Sequence, residues 1–324
     1  MKNILVLHTG GTISMSENDA GEIMPNENNP LNQFKLAADV PLNLQTEEIF
    51  NLPSPHITPK EMLQLQQRIL KAEADGIDGV VITHGTDTLE ETAYFLDLTL
   101  PSEVPVVLTG AMRSSNEIGS DGMYNFQSAI RVAAAEGSRQ KGVLVVINDE
   151  IHSARFVTKT HTTNVATFRT PTFGPIGLVA NKEVIFFQEM ISKTTVNLNE
   201  LVSGVFLIKA YAGMDAAQFE FLDDDRTHGV VIEALGAGNL PPQTLPAIQK
   251  LLDRNIPIVL VSRCFNGVAE PVYNYEGGGV GLKQMGITFC QGLNGPKARI
   301  KLLVGLSAHM QKAKLNKFVS NAVS

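Results

Sequence analysis

Short runs of Val, Ile and Leu recur along the chain and alternate with stretches in which apolar residues return at helical spacing. Such runs are typical of strands buried on both faces of a parallel sheet. They occur at residues 4–7, 80–83, 104–108, 143–147, 205–208, 230–232 and 256–261. The amphipathic stretches predict helices that begin at Thr58 and Thr88 or cover residues 123–135, 242–253 and 296–309. This alternation predicts an α/β fold with a mostly parallel sheet covered by helices.

Several predicted helices begin at side chains suited to that position. Thr58 can cap the first helix, with Pro59 in its first turn, and Asn294 can cap the last. Thr88 and Glu91 have the spacing of a capping box. The residues just before Thr88 therefore lie at a helix N-terminus, where backbone N–H groups face a ligand.

Three polar segments interrupt the alternation. Residues 14–33 have no sustained period and predict a loop of the kind that often forms a lid. Residues 157–164 are polar and β-branched, which predicts a loop or a short edge hairpin in the same sheet region. The pattern is also irregular between residues 181 and 200. We therefore place a larger N-terminal α/β domain at residues 1–190, a linker at 191–204 and a smaller C-terminal α/β domain at 205–324.

The composition is that of an ordinary globular protein, with 324 residues, 44% hydrophobic and 18% charged. The 26 basic and 33 acidic residues give a net charge of -7, which disfavours nucleic acid or an anionic membrane as a partner and favours a small-molecule substrate. No apolar run reaches the roughly 18 residues of a membrane span. The first strand begins too early for a signal peptide to precede it, so we expect a cytoplasmic location.

Metal and thiol chemistry receive little support from the sequence. Cys264 and Cys290 lack the close spacing of a zinc or redox pair, and we expect both to be buried thiols. The seven histidines include no zinc-binding pair at helical spacing, so we expect no metal. A G-x-S-x-G elbow is absent as well. Hydroxyl chemistry would therefore have to use threonine.

Two Gly-Thr loops follow buried strands directly. The first carries Gly11 and Thr12, and the second carries Gly85, Thr86 and Asp87. Open parallel sheets bind ligands beyond the carboxyl ends of their strands, so the two threonines face one crevice if their strands are neighbours. A phosphate loop or a tight turn also fits the first loop, and a helix cap fits the second.

Lys159 stands between two threonines in the polar segment that follows the strand at 143–147. A solvated surface lysine is the ordinary interpretation of such a residue. A lysine can also be tuned by burial to accept a proton and activate a threonine beside it. The residues alone leave both interpretations open.

Five motifs together resemble the bacterial-type L-asparaginases. They are TGGTI at residues 9–13, THGTDTLEET at 83–92, GAMR at 110–113, VTKT at 157–160 with VATF at 165–168, and GPKAR at 295–299. The resemblance implies two α/β domains and hydrolysis of L-asparagine to L-aspartate and ammonia without metal or cofactor. It also implies a homodimer or homotetramer in which a neighbouring subunit completes each active site.

The resemblance further implies roles for individual residues. Thr12 would be the nucleophile that forms an acyl-enzyme, and Thr86 with Asp87 and Lys159 would form a second hydroxyl–base group. The residues implied in substrate binding are Ser54, Thr86, Asp87, Gly11, Gly85 and Ala111, with Asn239 lent by the neighbouring subunit. Tyr273, Tyr275 and Glu276 are further candidates for residues lent by the neighbour.

Two departures from the family pattern bear on mechanism and specificity. The family commonly carries a tyrosine in the mobile lid, whereas none lies between Thr12 and Gln33 here and Glu22 stands roughly in its place. Thr12 would then be activated through Lys159 and water, or by another residue. Pro55 stands where some relatives have a glutamine, so a relaxed glutaminase-asparaginase is the nearest alternative.

Rivals from other classes fit less well. An aminoacyl-tRNA amidotransferase subunit shares such motifs, but this chain has no evident tRNA-binding domain and carries a negative net charge. A non-catalytic amino-acid sensor would keep the pocket without the reaction. Catalysis that depends on Thr12 would separate the enzyme from the sensor.

Overall fold

An eight-stranded sheet lies at the centre of the first of two units into which the chain divides, Met1–Ile191 and Ser192–Ser324. The computed structural model describes residues 1–26, 28–33, 41–101, 103–191 and 195–323. The strands of the first unit are β1 Lys2–His8, β2 Met15–Glu17, β3 Ile23–Pro25, β4 Leu42–Glu48, β5 Gly79–Thr83, β6 Val106–Thr109, β7 Val143–Ile147, β8 Glu150–Ser153, β9 Thr158–Lys159, β10 Phe168–Arg169, β11 Gly177–Ala180 and β12 Glu183–Phe186. Its helices are α1 Pro59–Ala74, α2 Leu89–Thr99 and α3 Gly122–Ala134.

The large sheet has the strand order β12-β11-β8-β7-β6-β5-β1-β4. Strands β4, β1, β5, β6 and β7 pair in parallel, whereas β8, β11 and β12 extend the sheet by antiparallel pairing. The core strands β5, β6 and β7 are buried along their whole length, as their apolar runs predict. The prediction of a mostly parallel sheet in the larger domain is confirmed.

Helix α3 packs closely on one face of this sheet. Val81, Val107 and Leu144 of successive strands form a core with Phe126 and Ile130 of the helix.

The N-terminus of α1 is capped as predicted. The Thr58 side chain accepts a hydrogen bond from the Lys60 backbone N–H. The Glu61 side chain completes this capping box, so the predicted start of α1 is confirmed.

The second unit holds a four-stranded parallel sheet, β13-β14-β15-β16. Its strands are β13 Val205–Lys209, β14 Gly229–Ala234, β15 Ile258–Ser262 and β16 Thr288–Phe289. Its helices are α4 Ala217–Glu220, α5 Leu245–Asp253, α6 Gly279–Met285, α7 Gly295–Ser307 and α8 Lys312–Val319. The Asn294 side chain accepts from the Lys297 backbone, so the predicted cap of α7 is confirmed. The smaller domain is therefore also α/β, as predicted.

Three local predictions are wrong. Residues 14–33 are more than a loop, because β2 and β3 pair as an antiparallel hairpin and Pro30–Gln33 forms a 3₁₀ turn. The Thr88 side chain does not cap α2, because its hydroxyl donates to the Ser54 carbonyl at 2.8 Å. The residues after Val157 do form a short hairpin, but β9 and β10 make a separate two-stranded sheet.

The prediction that both cysteines are buried is half right. Cys290 is buried, and burial raises the pKa of its thiol to about 12. Cys264 is exposed, because it lies in the loop that follows β15 rather than in the strand. Among the described residues no cluster of His, Cys, Asp and Glu side chains has the geometry to hold a metal ion. None of the helices described is both long enough and apolar enough to span a membrane.

Candidate active site

The two Gly-Thr loops lie side by side because their strands are neighbours. Strand β1 pairs with β5 in parallel, and His8 at the end of β1 is opposite Thr83 at the end of β5. Gly11 has a φ of 83°, and a Cβ added to it would lie 2.2 Å from the Cα of Gly85. The backbones of the two loops therefore touch at a position where only glycine fits.

Thr12 begins a 3₁₀ turn immediately after this contact. The turn, Thr12–Ser14, is closed by the Ser14 backbone N–H, which donates to the Gly11 carbonyl at 2.9 Å. Thr12 is half-buried and lines the same cleft as Thr86. Thr12 is thus held on a short turn that follows the end of β1.

Lys159 reaches the second loop from the short strand β9. Its Nζ donates to the Thr86 hydroxyl at 2.9 Å and to Asp87 Oδ1 at 2.7 Å. The Lys159 backbone N–H donates to Glu90 Oε2 at 3.1 Å, which fixes β9 against the start of α2. Lysine, threonine and aspartate therefore form a hydrogen-bonded group, and the solvated-surface interpretation of Lys159 does not fit this placement.

The three members of this group differ in exposure. Thr86 is buried, and the Lys159 side chain is 18% exposed, whereas the Asp87 side chain is 59% exposed. Asp87 can therefore bind a cationic ligand group with the part of its carboxylate that Lys159 leaves open. The lysine and the threonine lie deeper, where proton transfer is shielded from bulk water.

Ser54 lies against the second Gly-Thr loop, which carries Gly85 and Asp87. Its Oγ accepts from the Asp87 backbone N–H at 3.2 Å, and its carbonyl accepts from the Thr88 hydroxyl. A Cβ on Gly85 would lie 2.8 Å from that Oγ, so the glycine makes room for the serine. Because Ser54 Oγ accepts a hydrogen bond from the Asp87 backbone N–H, the Ser54 hydroxyl can donate its proton to a ligand carboxylate.

A cleft of about 330 Å³ joins these groups. Its lining contains every predicted catalytic residue, together with Gly11, Ser54 and Gly85 from the predicted substrate-binding set. The lining residues are Gly11, Thr12, Met15, Pro53, Ser54, Pro55, Gly85, Thr86, Asp87, Met112, Lys159 and Thr162.

The remaining predicted site residues lie elsewhere. Ala111 is buried and does not line the cleft, although its chain neighbour Met112 does. Asn239 belongs to the second unit, where its Oδ1 accepts from the Gly279 backbone at 3.2 Å. Tyr273 and Tyr275 are exposed in the same unit, with ring centroids 5.8 Å apart.

Glu22 does not line the cleft. It lies in the turn between β2 and β3, and its exposed carboxylate accepts from the Asn18 side chain at 3.2 Å. Met15, at the start of the same hairpin, does line the cleft. In this structure the hairpin therefore contributes the apolar Met15 side chain to the site, whereas Glu22 is exposed to solvent.

His84 is a supporting residue that the sequence interpretation missed. It is fully buried, and burial lowers the pKa of its imidazole to about 4. The neutral ring donates through Nδ1 to the Gly85 carbonyl at 2.7 Å and accepts through Nε2 from the Thr92 hydroxyl at 2.9 Å. The only signal in the sequence is that His84 and Thr92 belong to one motif.

Four cleft residues were also not singled out from the sequence. Met15, Pro53, Met112 and Thr162 line the cavity, although only Met112 belongs to a recognised motif. Each lies outside the regular secondary structure or at its edge, where periodicity does not indicate the direction of a side chain. Their positions depend on how the loops pack.

Two family models match most of the chain. The model described as Asparaginase, N-terminal, matches residues 3–192. The model described as Glutaminase/Asparaginase C-terminal domain matches residues 204–318. The two matches correspond to the two α/β units and leave few residues uncovered.

Known proteins match over the same length. A probable L-asparaginase of Deinococcus radiodurans is 38% identical over 327 residues, which cover 100% of this chain and 98% of that protein. An L-asparaginase of Bacillus licheniformis is 33% identical over 317 residues, with 97% and 98% covered. The crystal structure of a probable cytoplasmic L-asparaginase from Campylobacter jejuni matches with a TM-score of 0.86 and 33% identity, over 98% of this chain and 99% of that one. The resemblance inferred from the motifs is confirmed.

Proposed function

We propose, because the chain belongs to the asparaginase family of amidohydrolases, that it hydrolyses L-asparagine to L-aspartate and ammonia by double displacement through an acyl-threonine intermediate. One observation carries this proposal. Lys159 Nζ donates hydrogen bonds to both Thr86 and Asp87 in the cleft that Thr12 also lines. A weak hydroxyl nucleophile needs such a proton-transfer group beside it.

Thr12 attacks in the first half of the reaction. Its Oγ forms an ester bond with the side-chain carbonyl carbon, and the C–N bond breaks to release ammonia. The proton of the Thr12 hydroxyl passes to the leaving nitrogen through Thr86 and Lys159, with water bridging to Thr12. Backbone N–H groups at Gly11 and Gly85 stabilise the negative charge on the carbonyl oxygen.

Water completes the reaction in the second half. It attacks the acyl-threonine ester, the same threonine–lysine pair accepts its proton, and the Thr12 hydroxyl is restored as aspartate leaves. No metal or cofactor takes part in either half. The sequence of steps needs only groups that line the cleft, apart from the water.

The substrate is a free amino acid. Ser54 Oγ donates to its α-carboxylate, and the exposed part of the Asp87 carboxylate pairs with its ammonium group. The predicted contribution of Ala111 is indirect, because Ala111 is buried and its chain neighbour Met112 lines the cleft. A neutral amide without these two charges would lose both anchoring interactions.

We further propose a homodimer or homotetramer in which Asn239 of one subunit completes the site of another. An exposed apolar surface in the second unit supports a subunit contact, since Phe265, Val272, Tyr273 and Tyr275 are all about half exposed or more. The Campylobacter relative is described as cytoplasmic, and we propose the same location for this enzyme. A sizing measurement tests the assembly.

Glutamine is the second candidate substrate. The C-terminal family description names both activities, and one extra methylene changes discrimination by only about 1–3 kcal/mol. Ammonia release from asparagine and glutamine, measured in parallel for the wild type and Thr12→Ala, tests both candidates. Release that does not depend on Thr12, from either amide, would overturn the proposed mechanism.

A further inference from the structure

A second cavity of about 490 Å³ lies beside the catalytic cleft, and Met112 lines both. Residues 161–165 also contribute to the lining of both spaces. Thr162 faces the cleft, whereas His161, Thr163 and Val165 face the second cavity. The Met112 side chain and this segment therefore form the partition between the two spaces.

The order of the strands places Met112 at one end of the cleft. Neighbouring strands β4, β1, β5 and β6 lead to Ser54, Thr12, Thr86 and Met112 respectively. A substrate whose α-carboxylate lies at Ser54 and whose carbonyl carbon lies at Thr12 points its amide nitrogen toward the β6 end. The partition therefore faces the leaving group.

Met112 has a fixed backbone and an adaptable side chain. Its backbone N–H is held by both carboxylate oxygens of Asp121 at 3.1 Å, and the next N–H, from Arg113, donates to Asp121 Oδ1 at 3.0 Å. The thioether itself is unbranched and half-buried. Shortening it would open a passage between the cavities without moving the strand end.

We propose that Met112 determines leaving-group specificity by closing the cleft against N4-substituted asparagines. This inference rests on the proposed function. When the side chain is shortened, the substituent occupies the second cavity and the enzyme hydrolyses a secondary amide. The chemistry stays balanced, because a primary amine leaves in place of ammonia with the proton from Thr12, and water then releases aspartate.

The test compares N4-benzyl-L-asparagine with L-asparagine. We expect the ratio of their kcat/KM values to rise at least roughly tenfold in Met112→Ala, the change that about 1.4 kcal/mol of transition-state binding produces. Met15→Ala is the matched control, since Met15 lines the cleft but does not border the second cavity. Adding Val165→Phe to Met112→Ala should narrow that cavity and lower the ratio again.

The outcomes separate this inference from the proposed function. A wild type that does not hydrolyse asparagine would refute the function itself. An active Met112→Ala whose ratio rises no more than that of Met15→Ala would refute the role of Met112 alone. Met112→Val is measured alongside Met112→Ala. Loss of asparagine turnover in both variants would show that the hydrolysis of asparagine itself requires Met112, and would overturn its proposed role in specificity.

Discussion

Gly11 and Gly85 touch through their backbones at the centre of the site. The Cβ of any larger residue at position 11 would lie 2.2 Å from the Gly85 Cα, and Gly11 also has a φ of 83°. The loops that follow the neighbouring strands β1 and β5 are therefore in direct contact, with Thr12 following one glycine and Thr86 following the other. The contact explains how residues from two distant motifs share one cleft.

Substituting Gly11 should damage both activity and stability. Gly11→Ala meets backbone atoms that cannot move aside, so we expect asparagine turnover to fall by more than about 100-fold and stability to fall by about 3 kcal/mol or more. Gly76→Ala is the control, because Gly76 has a similar φ of 82° but no atom within 4 Å of the added Cβ. It should cost only about 1–2 kcal/mol and leave turnover unchanged. Urea unfolding and ammonia release measure the two effects. Equal destabilisation by both variants would show that the contact of Gly11 with Gly85 does not restrict position 11.

Removing the Lys159 amino group should stop catalysis and preserve the fold. Lys159→Met keeps an unbranched side chain that matches lysine as far as Cε but loses the hydrogen bonds to Thr86 and Asp87. We expect kcat to fall by about 10²- to 10⁴-fold, the usual contribution of positioned acid–base groups. Circular dichroism and kinetics, with exposed Lys71→Met as control, check this. Turnover near that of the wild type would remove Lys159 from the mechanism.

Thr58 and Thr88 both stand at predicted helix N-termini, but replacing each of them with alanine should have a different effect. Thr58 caps α1, so Thr58→Ala should lower the free energy of unfolding by about 1 kcal/mol with normal turnover. Thr88 holds the carbonyl of Ser54 instead of capping α2. Thr88→Ala should therefore raise KM for asparagine. Unfolding curves and steady-state kinetics on both variants distinguish these roles, and an unchanged KM in Thr88→Ala would contradict the second.

These contrasts show how far the sequence predicts the fold. The apolar runs of β5 and β7 predicted buried strands because burial on both faces leaves no polar position. Strand β4 was missed, since it is polar along most of its length and is defined by pairing with β1. The β2–β3 hairpin has only three residues in each strand, too few to show a period.

The site could likewise be predicted only in part. Each loop is predicted by its own motif, whereas the approach of Thr12 and Thr86 depends on their strands being neighbours. The contact of Lys159 with Asp87 spans 72 positions along the chain, so no local pattern indicates it. Only the family resemblance suggested that contact. The opposite error occurred at Thr88, where a correct capping-box spacing was overridden by a tertiary contact with Ser54.

Buried histidines should make the protein less stable in mild acid. Burial lowers the pKa of both His8 and His84 to about 4, well below the value of about 6.5 in the unfolded chain. Between these values the unfolded state binds more protons, so stability is complete above about pH 6.5 and falls as the pH falls toward 4. Each histidine contributes up to about 3 kcal/mol across this window.

Urea unfolding between pH 8 and about pH 4.5 measures that dependence. His8→Gln should flatten the curve, because it removes one of the two groups whose pKa is lowered by burial. A slope equally steep in His8→Gln and the wild type would show that His8 does not contribute.

Thr12 carries the acyl group in the proposed mechanism. The most direct test is to quench the enzyme with acid during turnover of L-asparagine and to analyse its peptides by mass spectrometry. We expect one aspartyl ester on the peptide that contains Thr12 in the wild type, and neither ester nor ammonia release in Thr12→Ala. An ester on Thr86, or ammonia release by Thr12→Ala at the rate of the wild type, would contradict it.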